Sequence, residues 1–449
     1  MHEIVHIGID DTDSPRAGCT TYLAALLIDL LNRMNVNFLD YPSLVRLNPN
    51  IPWKTRGNGA VSLKVKVLKE YDLIKELIFK YVEDNSVQNT EGTDPGVVIV
   101  RGEVPEKIQD FSERALLEIL SLDETMRLIR ECGADACGLN TGRGIIGALA
   151  AIGYAFDGDH TYEAITYRRL ENRGKTRRIN LKTILEMNKK TTPLTFSNID
   201  EETGRILITP RGPDPILFGI RGESPKIVKA AMGMISSEEP IERWVIFRTN
   251  QGTDAHLTRE YRINEVKSNI PLMVNGKIAA PPKIIQGGHV ILRLEDETGQ
   301  IECAAYEPSG SFKKIVKNLI INDKVRVYGG TREARPPHLT TINLEKIEIL
   351  ELTPEFKFQN PKCPNCNRTL KSMGLQKGFR CENCKYKTLK IGKLENEISR
   401  PITCRLYLPP PRAHRHLTKP LERYGCEKKG IMKNQNEMFI ENFWGKTSI

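Results

Sequence analysis

GIDDTDSPRAGCTTYLAALL, residues 8–27, places Asp10, Asp11 and Asp13 within four positions, then runs through Gly18, Cys19, Thr20 and Thr21 into an apolar segment. Upstream, residues 3–9 alternate as a strand does. Downstream, Leu23, Leu26, Leu27, Leu30 and Leu31 recur at helical spacing, with Thr20 or Thr21 available as N-cap. The stretch reads as strand, acidic loop, helix. Carboxylates at the end of a strand are hard oxygen ligands suited to Mg²⁺ and, through it, to a nucleoside triphosphate. Three of them repel one another unless a cation sits among them. A helix start adds free amides for phosphate, and a threonine hydroxyl there can be nucleophile, phosphate ligand or cap. The other reading of DDTDS is a set of Asx turns and caps in an exposed loop.

Working outward, 449 residues exceed one ordinary core and imply three or four domains. Hydrophobic residues at 39 % and charged residues at 27 % suit a globular chain, and no apolar run is long enough to cross a bilayer, which argues against a membrane protein. MHEIVHIGIDD starts as a strand rather than as a leader, so the expected location is the cytoplasm. The net charge of +10 is uneven: residues 354–449 hold 20 Lys/Arg against 8 Glu and no Asp. A positive end of this kind attracts polyanions by counterion release, nucleic acid first. Its alternative is a solvated tail without a partner.

The first 135 residues read as α/β or α+β, with strand-like segments at 38–48 and 60–69 and helical EYDLIKELIFKYVED and EKIQDFSERALLEILS on either side of VVIV. A second mixed region follows from about Gly138 to Glu265. Beyond Ile270, three short strands, a helical SFKKIVKNLI and two more strands give the order of an OB-fold barrel, which often grips single-stranded nucleic acid. The expected division is 1–137, 138–267, 268–353 and 354–449, a multidomain α+β chain.

Cys363 and Cys366, then Cys381 and Cys384, form two Cys-x2-Cys knuckles fourteen residues apart. Four thiolates at this spacing match a tetrahedral, structural Zn²⁺ in a zinc ribbon. RLNPNIPWKTRGNGAV, residues 46–61, collects Lys54, Arg56 and Asn58 on one loop between strands, where the cations can neutralise phosphate oxygens; a charged surface turn is the alternative. GKT at 174–176 is not a P-loop, because Arg169 stands where the first glycine is required. Gly142, Gly144 and Gly147 match G-x-G-x-x-G, but ECGADACGLN before them is a poor strand, so close helix packing or a backbone lining a pocket is the favoured reading over a dinucleotide site. His256 reads as a structural histidine. Near the C-terminus, LPPPRAHRHLTKPLERYG gathers Arg412, Arg415, His416, Lys419 and Arg423 in a stretch that either binds RNA or is a disordered tail.

GIDDTDS…CTTYLA, RLNPNIPWKTRGNGAV, GRGIIGALAAIG, LFGIRGES, TN…TDAHL, the OB-like segment, the four-cysteine ribbon and RHLTKPL occur in an order that resembles the archaeal tRNA(Ile) 2-agmatinylcytidine synthetases over nearly the whole chain. The resemblance implies a kinase-like N-terminal domain using ATP and Mg²⁺, a ferredoxin-like domain, an OB domain and a zinc ribbon. It also implies the reaction: ATP phosphorylates the C2 carbonyl oxygen of the wobble cytidine in isoleucine tRNA, and agmatine displaces that oxygen, so that the anticodon reads AUA.

By the same resemblance Thr20 matches an autophosphorylated threonine, Asp10, Asp11 and Asp13 match the acidic loop with Asp10 and Asp11 toward Mg²⁺, and Gly18, Lys54, Arg56 and Asn58 fall to ATP. Agmatine is cationic at both ends, so Asp214, Glu223 and Asp254 are candidates for its pocket, and Arg412, Arg415, His416 and Lys419 for tRNA. The extension CEKKGIMKNQNEMFIENFWGKTSI lies beyond the shared motifs. Two rival readings are a non-catalytic tRNA- or single-strand-binding protein with the same modules, and an RNA ligase or kinase that uses no amine.

Overall fold

The computed structural model of the chain describes residues 3–14, 18–54, 56–67, 71–86, 90–333, 340–428 and 442–447. The N-terminal region contains β1 (Glu3–Asp10), α1 (Thr20–Arg33), β2 (Ser43–Arg46), β3 (Gly59–Val67), α2 (Tyr71–Asn85), β4 (Gly96–Arg101), α3 (Glu106–Leu117), α4 (Leu122–Glu131), β5 (Asp135–Gly138) and α5 (Gly144–Gly153). Alternation in β1 buries Val5, Ile7 and Ile9 in one core with Leu23, Leu27 and Leu31 of α1 and Ile74, Ile78 and Val82 of α2. On the opposite face α3, α4 and α5 cover Val98 and Val100 of β4. Gly8 of β1 has no side chain because a Cβ there would collide with the Ala148 carbonyl, so α5 lies on the strand at backbone contact.

The sheet does not stop at the end of this region. Next come β6 (Thr161–Arg168), α6 (Leu181–Thr191), β7 (Ile216–Gly222), α7 (Pro225–Met234) and β8 (Ile241–Thr249). The strand order is β5-β4-β1-β3-β2-β8-β6-β7 with the two-residue strand Thr195–Phe196 at the far edge. Neighbours along this order are antiparallel except β2 and β8, which run parallel with Ser43 opposite Arg248. Residues 137 and 138 therefore both lie in β5, inside one sheet shared with the following region.

Several local expectations change. Residues 38–48 are not one strand: the chain breaks before Ser43, leaving Asn37–Phe38 and β2. The helix read through residue 121 ends at Leu117, and α4 starts after Ser121, whose hydroxyl accepts the Glu124 amide at 3.2 Å. ECGADACGLN does contain a strand, β5. Among the described residues it sits at the sheet edge and pairs only with β4, so its residues need not show the alternation of a half-buried strand.

After this sheet, β9 (Pro271–Ile284), β10 (Val290–Glu295), β11 (Gln300–Ala305), α8 (Phe312–Lys317), β12 (Lys324–Arg332) and β13 (Thr341–Glu351) form a barrel. The order β11-β10-β9-β12-β13 closes through parallel pairing of β11 with β13, and α8 sits between the third and fourth strands, the OB arrangement. Its core includes Leu272, Val274, Leu292, Leu294, Val325, Val327 and Ile347. Beyond the barrel, Glu355–Gln359 pairs with Leu394–Ile398 as a stalk for the cysteine-rich segment.

Residues 401–428 are an ordered strap across the molecule. Leu406–Tyr407 pairs with β13, Arg412 binds Asp200 at 2.7 Å and Glu202 at 2.8 Å, and fully buried Arg423 joins Asp159 at 2.9 Å and Glu223 at 2.5 Å. Residues 429–441 of the C-terminal extension lie outside the described residues, but the chain returns as β14 (Trp444–Lys446) against β8. Phe443 beside it is buried edge-on to Phe38 and Tyr41. Phe443→Ala is expected to destabilise the N-terminal sheet by about 3–5 kcal/mol, the range for deleting a buried aromatic ring; urea unfolding with matched m-values measures it.

Candidate active site

The acidic loop, the 46–61 loop and the start of α5 meet around a cavity of about 380 Å³. Asp10, Asp11, Asp13, Thr20, Lys54, Arg56, Asn58, Gly144 and Gly147 all line it. Asp10 ends β1 and rests on the first turn of α5, where a Cβ on Gly147 would collide with its carboxylate. Gly144, where a Cβ would collide with the Asp94 carbonyl and the Gly96 amide, and Gly147 serve close packing of the helix, while Gly142 supplies a left-handed turn (φ 72°) before it. Asp11 takes a left-handed conformation (φ 54°) and its carboxylate accepts the Asp94 amide at 3.0 Å. The Thr20 hydroxyl donates to Asp13 at 3.4 Å and accepts from Thr12 at 3.2 Å. A hydroxyl with a carboxylate on its proton is prepared to act as a nucleophile.

Charge in the cavity is sorted into two poles. Burial, reinforced by the neighbouring Asp11 charge, holds the Asp10 carboxyl well above the usual carboxylate range, and burial pushes Asp11 up to about 6. Nearby cations are shared out: Arg143 pairs with Asp94 at 2.7 Å, and Arg56 lies 3.4 Å from Asp13 while also donating to the Gly18 and Ser14 carbonyls at 3.2 and 3.3 Å. Helices α1 and α5 both start at the cavity, and neither N-cap residue, Cys19 or Arg143, caps its helix with its side chain. Two such helix starts offer amides and positive dipole ends to an anion. Asp10 and Asp11 offer the two carboxylates with which Mg²⁺ is commonly bound alongside phosphate oxygens. The arrangement suits phosphoryl transfer, which needs positioning and charge neutralisation more than covalent chemistry.

The other expected site residues divide. Asp214 lines the cavity, accepting from Arg177 at 3.2 Å with Arg56 at 4.0 Å. Glu223 and Asp254 do not line it: Glu223 holds the strap through Arg423, and Asp254 accepts from the strap's Lys419 amide and pairs with Lys346 of β13. Arg412 and Lys419 are likewise occupied by internal carboxylates, Lys419 by Glu427 at 3.0 Å. Arg415 pairs with Glu345 at 3.1 Å and donates to Asn50 at 2.8 Å, yet also lines an outer groove of about 1090 Å³ between the OB barrel and the 46–61 loop. His416 lines both spaces. His256 is buried against Glu345 at 2.9 Å, a structural tie between its loop and the barrel.

Three residues of the cavity wall, Arg46, Arg143 and Glu163, were not among the expected site residues. Arg46 and Glu163 sit within strands β2 and β6. A charged residue inside a strand pattern such as TYEAITYR, where all eight residues are buried, is the signal that could have found Glu163.

In the ribbon, the four Sγ atoms of Cys363, Cys366, Cys381 and Cys384 lie within 4.8 Å of one another. Tetrahedral Zn²⁺ with Zn–S near 2.3 Å separates its sulfurs by roughly 3.8 Å, so the set fits the ion. An amide from Arg368 lowers the Cys366 thiol toward the thiolate form that a metal takes. Apart from the cysteines, the ribbon core holds only Leu370 and Phe379, with Tyr386 packed against it.

Family models match the chain from its first strand to the ribbon: "TiaS TCKD domain" at residues 6–141, "TiaS FLD domain" at 142–256, "OB-fold nucleic acid binding domain" at 274–350 and "TiaS C-terminal zinc ribbon domain" at 360–402. A relative from Pyrococcus horikoshii, a tRNA(Ile) 2-agmatinylcytidine synthetase, is 43 % identical over 429 residues, covering 95 % of this chain and 99 % of its own. The solved structure of TiaS in complex with its isoleucine tRNA and ATP superposes with a TM-score of 0.85 at 37 % identity, covering 94 % of this chain and 97 % of that one. A complex of TiaS with the tRNA, AMPCPP and agmatine gives 0.82 at 35 % identity with the same coverage.

Gly147→Ala is expected to push Asp10 out of place, costing about 1–3 kcal/mol of stability and at least about tenfold in nucleotide affinity; calorimetric titration with a non-hydrolysable triphosphate reads the second effect. Chelation of zinc, or Cys381→Ser, is expected to abolish amide protection over residues 363–388 and leave that of β1 and the barrel unchanged in hydrogen exchange.

Proposed function

The chain belongs to the tRNA(Ile) 2-agmatinylcytidine synthetase family, and on that premise we propose that its cavity joins agmatine to C2 of the wobble cytidine of isoleucine tRNA at the expense of ATP. The observation that carries the reading is the convergence of Asp10, Asp11, the Asp13–Thr20 pair and two helix starts on one cavity. An amide-like carbonyl is a poor electrophile. Transfer of the γ-phosphoryl group to the C2 oxygen turns that oxygen into a leaving group, and attack by the agmatine amine expels it as phosphate.

Each role follows from position. The amides of α1 and α5, with Lys54, Arg56 and Asn58, hold the triphosphate. Mg²⁺ bound at Asp10 and Asp11 supplies charge neutralisation to the phosphates. In a transfer separate from that to C2, Asp13 is the base for the Thr20 hydroxyl: as Thr20 Oγ1 attacks a phosphorus of the bound nucleotide, the bond from that phosphorus to the departing nucleotide oxygen breaks and the hydroxyl proton passes to Asp13. Asp214 faces the cavity as a carboxylate for one cationic end of agmatine. The outer groove between the barrel and the 46–61 loop, lined by Lys54, Arg332 and Arg415, leads a nucleic-acid strand toward the cavity, and the target base must leave its stack to enter. No helix among the described residues is long and apolar enough to cross a membrane, which agrees with work on tRNA in the cytoplasm.

The enzyme is tested with ATP, Mg²⁺, agmatine and isoleucine tRNA bearing the unmodified wobble cytidine, product being followed by mass spectrometry. Thr20→Ala and Asp11→Ala are each expected to lower product formation by at least about 100-fold while tRNA affinity changes less than about twofold. Full turnover by both variants would disprove the assigned site. Modification of the base without agmatine would instead support a kinase or ligase.

A further inference from the structure

The inner cavity and the outer groove share Arg46, Ile51, Lys54, Arg56, Gly57 and His416. These residues form the doorway between the path open to a strand and the site of chemistry. A Cβ on Gly57 would stand 2.5 Å from His416 Cδ2 and 2.8 Å from both His416 Nε2 and Arg46 Nη1. Glycine thus keeps the doorway open, and it places the imidazole Nε2 beside the guanidinium.

The hydrogen-bond chain behind His416 decides what Nε2 can do. Gln251 Nε2 donates to Glu163 at 2.5 Å, and this fixes the amide with its oxygen toward His416 Nδ1, 2.8 Å away. The tautomer that satisfies the Gln251 carbonyl carries the proton on Nδ1 and donates it to Gln251. The opposite tautomer would let Nδ1 accept from Arg221, 3.0 Å away, but would set the Gln251 carbonyl against a lone pair, or, if the amide turned, against the Glu163 carboxylate. Arg221 already faces Glu163 at 3.4 Å. Burial and the charges of Arg46, Arg221 and Lys54 keep the ring neutral. Nε2 is left as an acceptor only. Beside it, Arg46 is a donor only, and its buried Nε has no hydrogen-bond partner among the described residues.

An acceptor next to donors is the complement of the Watson–Crick edge of cytosine, which presents an N4 amine and then the N3 and O2 acceptors. We propose that His416 is a specificity-determining residue, its Nε2 accepting from the N4 amine of the target cytosine while Arg46 donates to the N3/O2 side. Uracil would present its O4 lone pairs to the Nε2 lone pair and be rejected. This rests on the tRNA-modifying reading above and adds to it how the base is told apart.

The test crosses enzyme and substrate. The full-length enzyme and His416→Ala are assayed on isoleucine tRNA with cytosine at the wobble position and on the same tRNA carrying 2-pyrimidinone there, which keeps O2 and N3 but lacks the amine. For the unaltered enzyme, loss of the amine is expected to lower kcat/KM roughly 10–100-fold. For His416→Ala the two tRNAs are expected to react alike, near the lower rate, and His416→Gln, whose carbonyl can accept, to regain preference for cytosine. The ratio of two substrates on one enzyme does not depend on how much of a variant is folded, and for a variant without turnover the ratio of tRNA dissociation constants is read instead. An unchanged ratio in His416→Ala overturns the proposal. No modification of the cytosine tRNA by the unaltered enzyme would overturn the functional reading itself.

Discussion

Three carboxylates crowded at the end of one strand, on the wall of a cavity between two sheet regions, set the terms for the rest of this molecule. Asp10 and Asp11 are held toward their protonated forms by burial and by neighbouring carboxylates, and positive charge placed among them would favour their ionised forms. The surroundings partly meet that demand with Arg56 at Asp13 and Arg143 at Asp94. They do not overmeet it: the two helix starts lack a cap from their own N-cap side chains. Their amides thus stay uncapped by those side chains where the helices meet the cavity.

Keeping this cavity in register with the outer groove requires parts far apart in the chain to be fastened together. The strap at 401–428 does so with ions rather than with apolar area. Arg423 binds Asp159 and Glu223, Arg415 binds Glu345, and Arg412 binds Asp200 and Glu202. Buried pairs of this kind add little net stability over a well-packed apolar contact, but losing one partner costs about 3–5 kcal/mol. They act as registration pins, since only one relative placement of barrel and sheet pairs every charge. The basic excess near the C-terminus is consequently spent in part on carboxylates of the same chain, and the surface left for a polyanion is smaller than the net charge suggests.

The sheet makes the same point in backbone terms. One parallel pairing, β2 with β8, joins the region that carries the acidic loop to the region that carries Glu163 and Arg221. Without it the cavity would have the acidic-loop wall and no opposite wall. Gly8 and Gly147 let α5 approach close enough for its first turn to meet Asp10, so the floor of the site is built by backbone contact.

Segments whose chemistry lies within a few residues could be read directly: the acidic loop running into Thr20, the paired Cys-x2-Cys knuckles, and the strand order of the barrel. Their ligands are neighbours in the chain, and spacing alone places them. Glu223, Asp254, Arg412 and Lys419 have the right residue types for substrate or RNA, yet the fold pairs each with a charge inside the chain. Arg46, inside the strand-like segment 38–48, and Glu163 carry no expected site role, and both are walls of the cavity. Residue type and spacing determined which segments could carry chemistry. Tertiary structure alone decided which charges are consumed by one another and which remain for a ligand, because Coulombic pairing depends on distance in space, and a linear pattern carries no measure of it between residues hundreds of positions apart.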